Sequence, residues 1–157
     1  MEGYEVKQGM ENMNRSKMIR DNRLIGIQQE TLADRVMGRK GLTAAQAYML
    51  HYILQHSEEG TSLTAMHREF GYSKAALSSS LKSLRQKGYV RVERCPEDDR
   101  RKRLFATEQG CALKTFLEDS THLICDRIYA GLFPSELAEL DRLQKKVRRN
   151  LSANEMK

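Results

Sequence analysis

No stretch of the chain approaches the roughly 18 continuous apolar residues of a membrane-spanning helix, and the N-terminus lacks an apolar signal core. A cytoplasmic protein with no membrane partner is therefore expected. Aromatic residues make up only 6% of the 157 positions and apolar residues 39%, enough for one respectable core but hardly two. The three cysteines, Cys95, Cys111 and Cys125, are odd in number and show no tight pair spacing. That argues against a disulfide framework and a Cys-x-x-Cys zinc site, and leaves free thiols as the expectation. There is no glycine-rich phosphate loop, no nucleophile elbow and no His-Glu-x-x-His, and His51 and His56 are too far out of phase to share a helix face. Neither an enzyme nor a cofactor-dependent protein is expected, and no catalytic or metal-ligating residues are assigned.

What the chain does have is positive charge. Lys and Arg outnumber Asp and Glu by 27 to 21, a net charge of +6, which favours a polyanionic partner, nucleic acid ahead of an anionic membrane surface. Residues 1–14 carry two glycines, scattered charge and no periodic apolar face, and read as a flexible tail. From 15 to 38, Met18, Ile19, Ile25, Leu32, Val36 and Met37 recur loosely at helical spacing, with Gly38 and Gly41 at the end. A second helix opens at Thr43, a good N-cap with Gln46 at the capping-box position, carries Ala47, Leu50 and Leu54, and stops near His56.

Two short capped helices follow. Ser62 precedes a helix with Leu63, Met66 and Phe70, closed by Gly71. Ser73 precedes a second over 73–87, closed by Gly88, and the pair makes a helix-turn-helix pattern. At 100° per residue Leu77, Leu81 and Leu84 fall on one inward face, while Ala75, Ser78, Ser79, Lys82 and Gln86 lie opposite. Small hydroxyl and methyl groups with a cation suit a major groove about 12 Å wide, although a solvated serine face would look the same. Residues 89–108 then read as a hairpin: Tyr89 to Cys95 alternates, Pro96-Glu97-Asp98-Asp99 is a turn, and 101–107 returns. The run Arg100-Arg101-Lys102-Arg103 could straddle a phosphate backbone and place an arginine in the minor groove, where a plain edge strand would only resist aggregation.

Thr107 caps a further long helix with Leu113, Phe116, Leu117, Leu123 and Ile124 on one face. Gly131 breaks it, and a last helix starts at Pro134 and runs through Leu137, Leu140, Leu143, Val147 and Leu151. That spacing suits a seam against a partner helix, because a chain of this length offers too little core for three long amphipathic helices. Cys111, Glu118, His122 and Cys125 share a stripe opposite the apolar face, but Cys111 and Cys125 would lie about 21 Å apart, so at most the last three could meet an ion. Cys95, between Arg94 and Pro96 beside the basic ribbon, is the candidate for a redox-active thiol.

The run Leu42-Thr43-x-x-Gln46, Ser73-Lys74, Leu84-x-x-Lys87-Gly88-Tyr89-Val90 and Asp99-Arg100-Arg101 followed by Thr107-Glu108-x-Gly110 resembles the multiple-antibiotic-resistance regulator (MarR) family of winged-helix repressors. The resemblance covers the chain beyond its N-terminal tail. It implies a mainly α fold with a small β-hairpin, a winged helix-turn-helix lobe over 42–110, and a homodimer in which the first helix (15–38) and the last helices (111–151) interlock. It also implies that Asp99 pairs with Arg101 to shape the wing while Arg101 enters the minor groove. The family often carries threonine where Ala76 stands and arginine where Ser79 stands, so direct base readout is weaker here and an A·T-rich, shape-read operator is expected.

The sequence thus assigns Ser73, Lys74, Ala75, Ala76, Ser78, Ser79 and Lys82 to a recognition helix, and Arg94, Asp99, Arg100, Arg101, Lys102 and Arg103 to a wing. Met18, Ile19, Ile25, Leu123, Leu137, Leu140, Leu143 and Val147 are assigned to dimerisation. A ligand-responsive repressor on double-stranded DNA, with a small-molecule effector of unknown identity, is the leading expectation. A winged-helix module for a protein partner, or a thiol-based redox regulator acting through Cys95, are the alternatives.

Overall fold

The computed structural model describes residues 2–154, and the side chains of 14–98 and 102–153. Two compact units divide the chain after Thr121. The first begins with α1 (Glu2–Met37), which ends in a 3-10 turn at Gly38–Lys40. The tail expected over 1–14 is thus helical from Glu2 onward. Glu, Lys, Gln and Met dominate that stretch, no proline interrupts it, and their helix propensity outweighs the cost of Gly3 and Gly9.

The caps foreseen from sequence are all present. Thr43 and Gln46 form a reciprocal capping box at the start of α2 (Ala44–Gln55). Ser62 caps α3 (Leu63–Phe70), and Ser73 caps α4 (Lys74–Gln86) through the Ala76 amide. Gly71 takes the left-handed conformation between them at φ 72°. β1 (Val90–Cys95) and β2 (Asp98–Ala106) pair antiparallel, with Val90 opposite Ala106 and Val92 opposite Leu104. The turn is shorter than expected: only Pro96 and Glu97 lie between the strands, because an irregularity at Arg94/Cys95 brings Asp98 opposite Cys95.

The core of this unit gathers Ala33, Val36 and Met37 of α1, Leu50 and Ile53 of α2, Met66 of α3, Leu77 and Leu84 of α4, and Leu104 of β2, all essentially buried. On α4 the inward set is Leu77, Ser80 and Leu84, while Leu81 stands only half-buried.

The long helix expected after Thr107 is two helices, α5 (Glu108–Cys111) and α6 (Lys114–Ile128). The break follows from close packing. Gly110 is buried with its Cα so near the Tyr89 carbonyl that a Cβ there would lie 2.2 Å from the oxygen. The Thr107 hydroxyl also donates to the Gly88 carbonyl. These ties hold the first turn against the hairpin, and the chain redirects at Ala112–Leu113. Leu113 and Leu117 are buried and Phe116 and Leu123 half-buried. In the second unit, Pro134 opens α7 (Pro134–Asn154) as expected, with the Phe133 amide donating to Glu136 at 2.8 Å.

Replacing Gly110 with alanine should destabilise the protein by about 1–3 kcal/mol, because backbone must shift to make room. Gly38→Ala, with open space around the new methyl, is the control and should be neutral or slightly stabilising. Urea unfolding of the two variants measures both.

Candidate nucleic-acid interface

Two residues, Tyr72 before it and Lys87 after it, tether α4 in place. The turn before it is fixed by Tyr72, whose hydroxyl donates to Glu30 of α1 at 2.7 Å and whose carbonyl lies 2.6 Å from His67 Nδ1. Partial burial, reinforced by the Glu30 carboxylate, pushes the Tyr72 phenol well above its ordinary value. After its last turn, Lys87 reaches back to donate to the Gly41 carbonyl and to Gln46 Oε1. With Leu77, Ser80 and Leu84 turned inward, Ser73, Lys74, Ala75, Ala76, Ser78, Ser79 and Lys82 are all exposed.

The hairpin is joined to the same lobe. Leu104 donates to the Thr61 carbonyl at 2.8 Å and accepts from the Thr61 amide at 3.3 Å, so Thr61, just before the Ser62 cap of α3, adds a short third rung to the ribbon. One face of the ribbon carries Val90, Val92, Leu104 and Ala106, and further out the directly opposed pair Arg94 and Lys102. The other face carries Arg91, Glu93, Arg103 and Phe105. There the Arg91 guanidinium lies 4.7 Å from the Phe105 ring centre and pairs with Glu93, while Arg103 donates to the Glu59 carbonyl at 3.2 Å. Gly60, at φ 74°, lets Phe105 pack directly on the backbone, since a Cβ would come within 2.6 Å of the ring.

Between α4, the start of α3 and the hairpin lies a groove of about 1250 Å³. Ser78, Lys82, Arg85 and Gln86 line it from α4, Lys102 and Arg103 from β2, and Glu59 is its one carboxylate among the described residues. The groove therefore brings Ser78 and Lys82 of the predicted helix set together with Lys102 and Arg103 of the predicted wing set. Ser73, Lys74, Ala75, Ala76, Ser79 and Arg94 are exposed outside the lining. Asp99, Arg100 and Arg101 fall outside the residues whose side chains are described. Arg85 was missed, yet it sits two turns after Ser78 on the same side of α4, and projecting the helix to its last turn would have found it. Cys95 stands half-buried in the groove wall. Cys111, on α5, is separated by the break from Glu118, His122 and Cys125 on α6, and no three metal-ligating side chains converge among the described residues.

A capped helix-turn-helix with a β-hairpin set against its second helix defines a winged helix-turn-helix protein. Residues 40–101 match the model of the MarR family. The structure of the transcriptional regulator SlyA superposes with a TM-score of 0.78 at 17% identity, covering 87% of this chain and 95% of that one. The C80S variant of MarR from E. coli, complexed with operator DNA, gives 0.75 at 22% identity, over 83% and 93%. BpsR of Bordetella bronchiseptica, whose DNA binding is regulated by 6-hydroxynicotinic acid, gives 0.70 at 21% identity, over 80% and 89%. The winged lobe of this chain is thus similar to the MarR family.

Tyr72→Phe should lower stability by about 1 kcal/mol near neutral pH through loss of the bond to Glu30. Because the folded-state pKa of Tyr72 is raised, that stabilisation is whole below the unfolded value near 10 and is lost as pH rises beyond it. Urea unfolding of both proteins between neutral pH and about pH 11 should show the gap closing only above about pH 10.

Proposed function

We propose that this chain is a double-stranded DNA-binding transcriptional regulator that acts as a homodimer, and that it is a repressor released by a small-molecule effector. The observation that carries the reading is the groove: among the described residues, four cations from two elements line one concavity with a single carboxylate. A phosphate backbone laid along it would meet Lys82 and Arg85 on one side and Lys102 and Arg103 on the other, with Ser78 and the exposed start of α4 toward the bases. The exposed α4 side chains are short, so shape readout and an A·T-rich operator fit this chain, with Arg101 as the wing's minor-groove arginine. The MarR–operator complex and the effector-regulated BpsR support the same reading by analogy of fold. The protein acts in the cytoplasm, without catalysis and without a cofactor. A protein-interaction module fits the groove less well, since such interfaces deplete charge at their centre.

The homodimer rests on apolar surface left bare. On α1, Met18, Ile19 and Ile25 are exposed, Ile19 at 72%. On α7, Leu143 and Val147 are exposed while Leu137 and Leu140 are half-buried, and Leu123 of α6 is half-buried as well. Each element by itself shows more apolar surface than a monomer keeps in water, and a second copy of the chain is the partner that would cover both.

Fluorescence anisotropy with an operator selected from random duplexes tests the DNA reading. Log affinity should fall linearly with log salt, with a slope of about −4 or steeper. Lys82→Ala and Arg85→Ala should each flatten it by about 1 per lobe and weaken binding to all sequences alike. A salt-independent affinity is the result that removes DNA as the partner. For the dimer, Ile19→Glu and Val147→Glu should each shift sedimentation toward the monomer, since a lone carboxylate buried in a seam costs several kcal/mol. Wild-type monomer at micromolar concentration would contradict the assignment.

A further inference from the structure

The first unit carries a second concavity, of about 340 Å³, between the C-terminal half of α2 and the end of α3. Tyr48, Tyr52 and His56 rise along α2 at successive turns, and Glu69 and Phe70 close the far side. The Phe70 ring stacks with Tyr48 at 6.3 Å between centres and 19° between planes, and meets Tyr52 edge-on at 5.4 Å. The chain has only six tyrosines and four phenylalanines, and three of them meet here with each half-buried. Among the described residues Glu69 is the one carboxylate of the lining, no lysine or arginine contributes to it, and His51, Gln55 and His56 complete it.

We infer that this pocket binds a small organic cation of the quaternary or tertiary ammonium class. Aromatic faces present the negative lobe of their quadrupole, so three rings around one cavity attract a cation and also cover its alkyl groups. Glu69 at the rim supplies the countercharge. An anionic aromatic ligand of the same size would instead sit beside Glu69 with no lysine or arginine in the lining to balance it. Tyr52 and His56 also line the cationic groove, so the two concavities share a wall. The ammonium site nevertheless follows from its own lining and does not depend on what fills the groove.

The test uses the full-length, isotope-labelled protein without DNA at one fixed, mildly alkaline pH. Benzyltrimethylammonium is titrated, with benzyl alcohol and benzoate as neutral and anionic counterparts, and amide shifts are followed by NMR. Saturable shifts in residues 48–56 and 67–71 are expected, with affinity about tenfold above either counterpart. Glu69→Gln, a change at an exposed position that leaves the fold intact, should weaken binding about fivefold, and Tyr52→Leu about tenfold. Equal binding of benzoate or benzyl alcohol, shifts mapping elsewhere, or full affinity in Glu69→Gln overturns the assignment.

Discussion

The two hydrogen bonds exchanged by Thr61 and Leu104 decide where the hairpin stands relative to the helix pair. Leu104 is buried and Thr61 nearly so, which means that neither amide could turn to water if the rung opened. From that joint the rest follows by strand alternation. Lys102, two residues along β2, stands on the Leu104 face and opens into the groove, while Arg103 turns to the other face and is held by the Glu59 carbonyl. Phe105 seated on Gly60 closes the same corner from outside. The hairpin thus meets α4 across a groove of set shape instead of swinging on a loose linker.

In and beside that groove the charges are arranged against their own stability. Arg94 and Lys102 are directly opposed across the ribbon, a placement that costs energy by itself. No carboxylate among the described residues pairs with Lys82, Arg85 or Lys102. Elsewhere the same residue types are matched: Arg142 binds Glu139 through two hydrogen bonds, and Lys145 binds Asp141 at 2.6 Å. The Arg142 guanidinium holds the Glu139 carboxyl below its usual range, as expected of a satisfied pair. Lys82, Arg85 and Lys102 thus lack the carboxylate partners that Arg142 and Lys145 have on α7. On the proposed reading, an anionic occupant of the groove would give the first arrangement its purpose.

Local chemistry was legible in the sequence, and distance in the chain was not. Thr43, Ser62, Ser73 and Gly71 announced their roles because a cap or a left-handed residue acts over three or four positions. The split between α5 and α6 was hidden because Gly110 is shaped by the Tyr89 carbonyl, a neighbour from another element. Ser80 was placed on neither face of α4 by the projection and is buried, because its place is set by elements packed on α4 rather than by its polarity. At the site, Ser78 and Lys82 were found by helix projection and Lys102 and Arg103 by their charge run. Their meeting in one groove depended on the Thr61 rung, and nothing about a lone threonine signals a strand partner 43 positions away. The N-terminal segment was misread for the opposite reason: it lacks a periodic apolar face, but helix propensity suffices for a continuous α1.

That continuity makes α1 the element through which a change outside the lobe can reach α4. Its last turns are in the core at Ala33, Val36 and Met37, whereas Met18, Ile19 and Ile25 lie bare two to five turns earlier. Between them Glu30 holds the Tyr72 hydroxyl in the turn before α4, and Asp34 accepts from the Ala44 amide at the start of α2 at 2.7 Å. A rigid helix moved at its bare end must carry both bonds with it or break them. Each is short and directional, so small rotations of α1 favour discrete arrangements of the helix pair over gradual bending. On the proposed reading, an effector that preferred one setting of the bare end would thereby bias the position of α4, and its influence on DNA would be bounded by that preference alone.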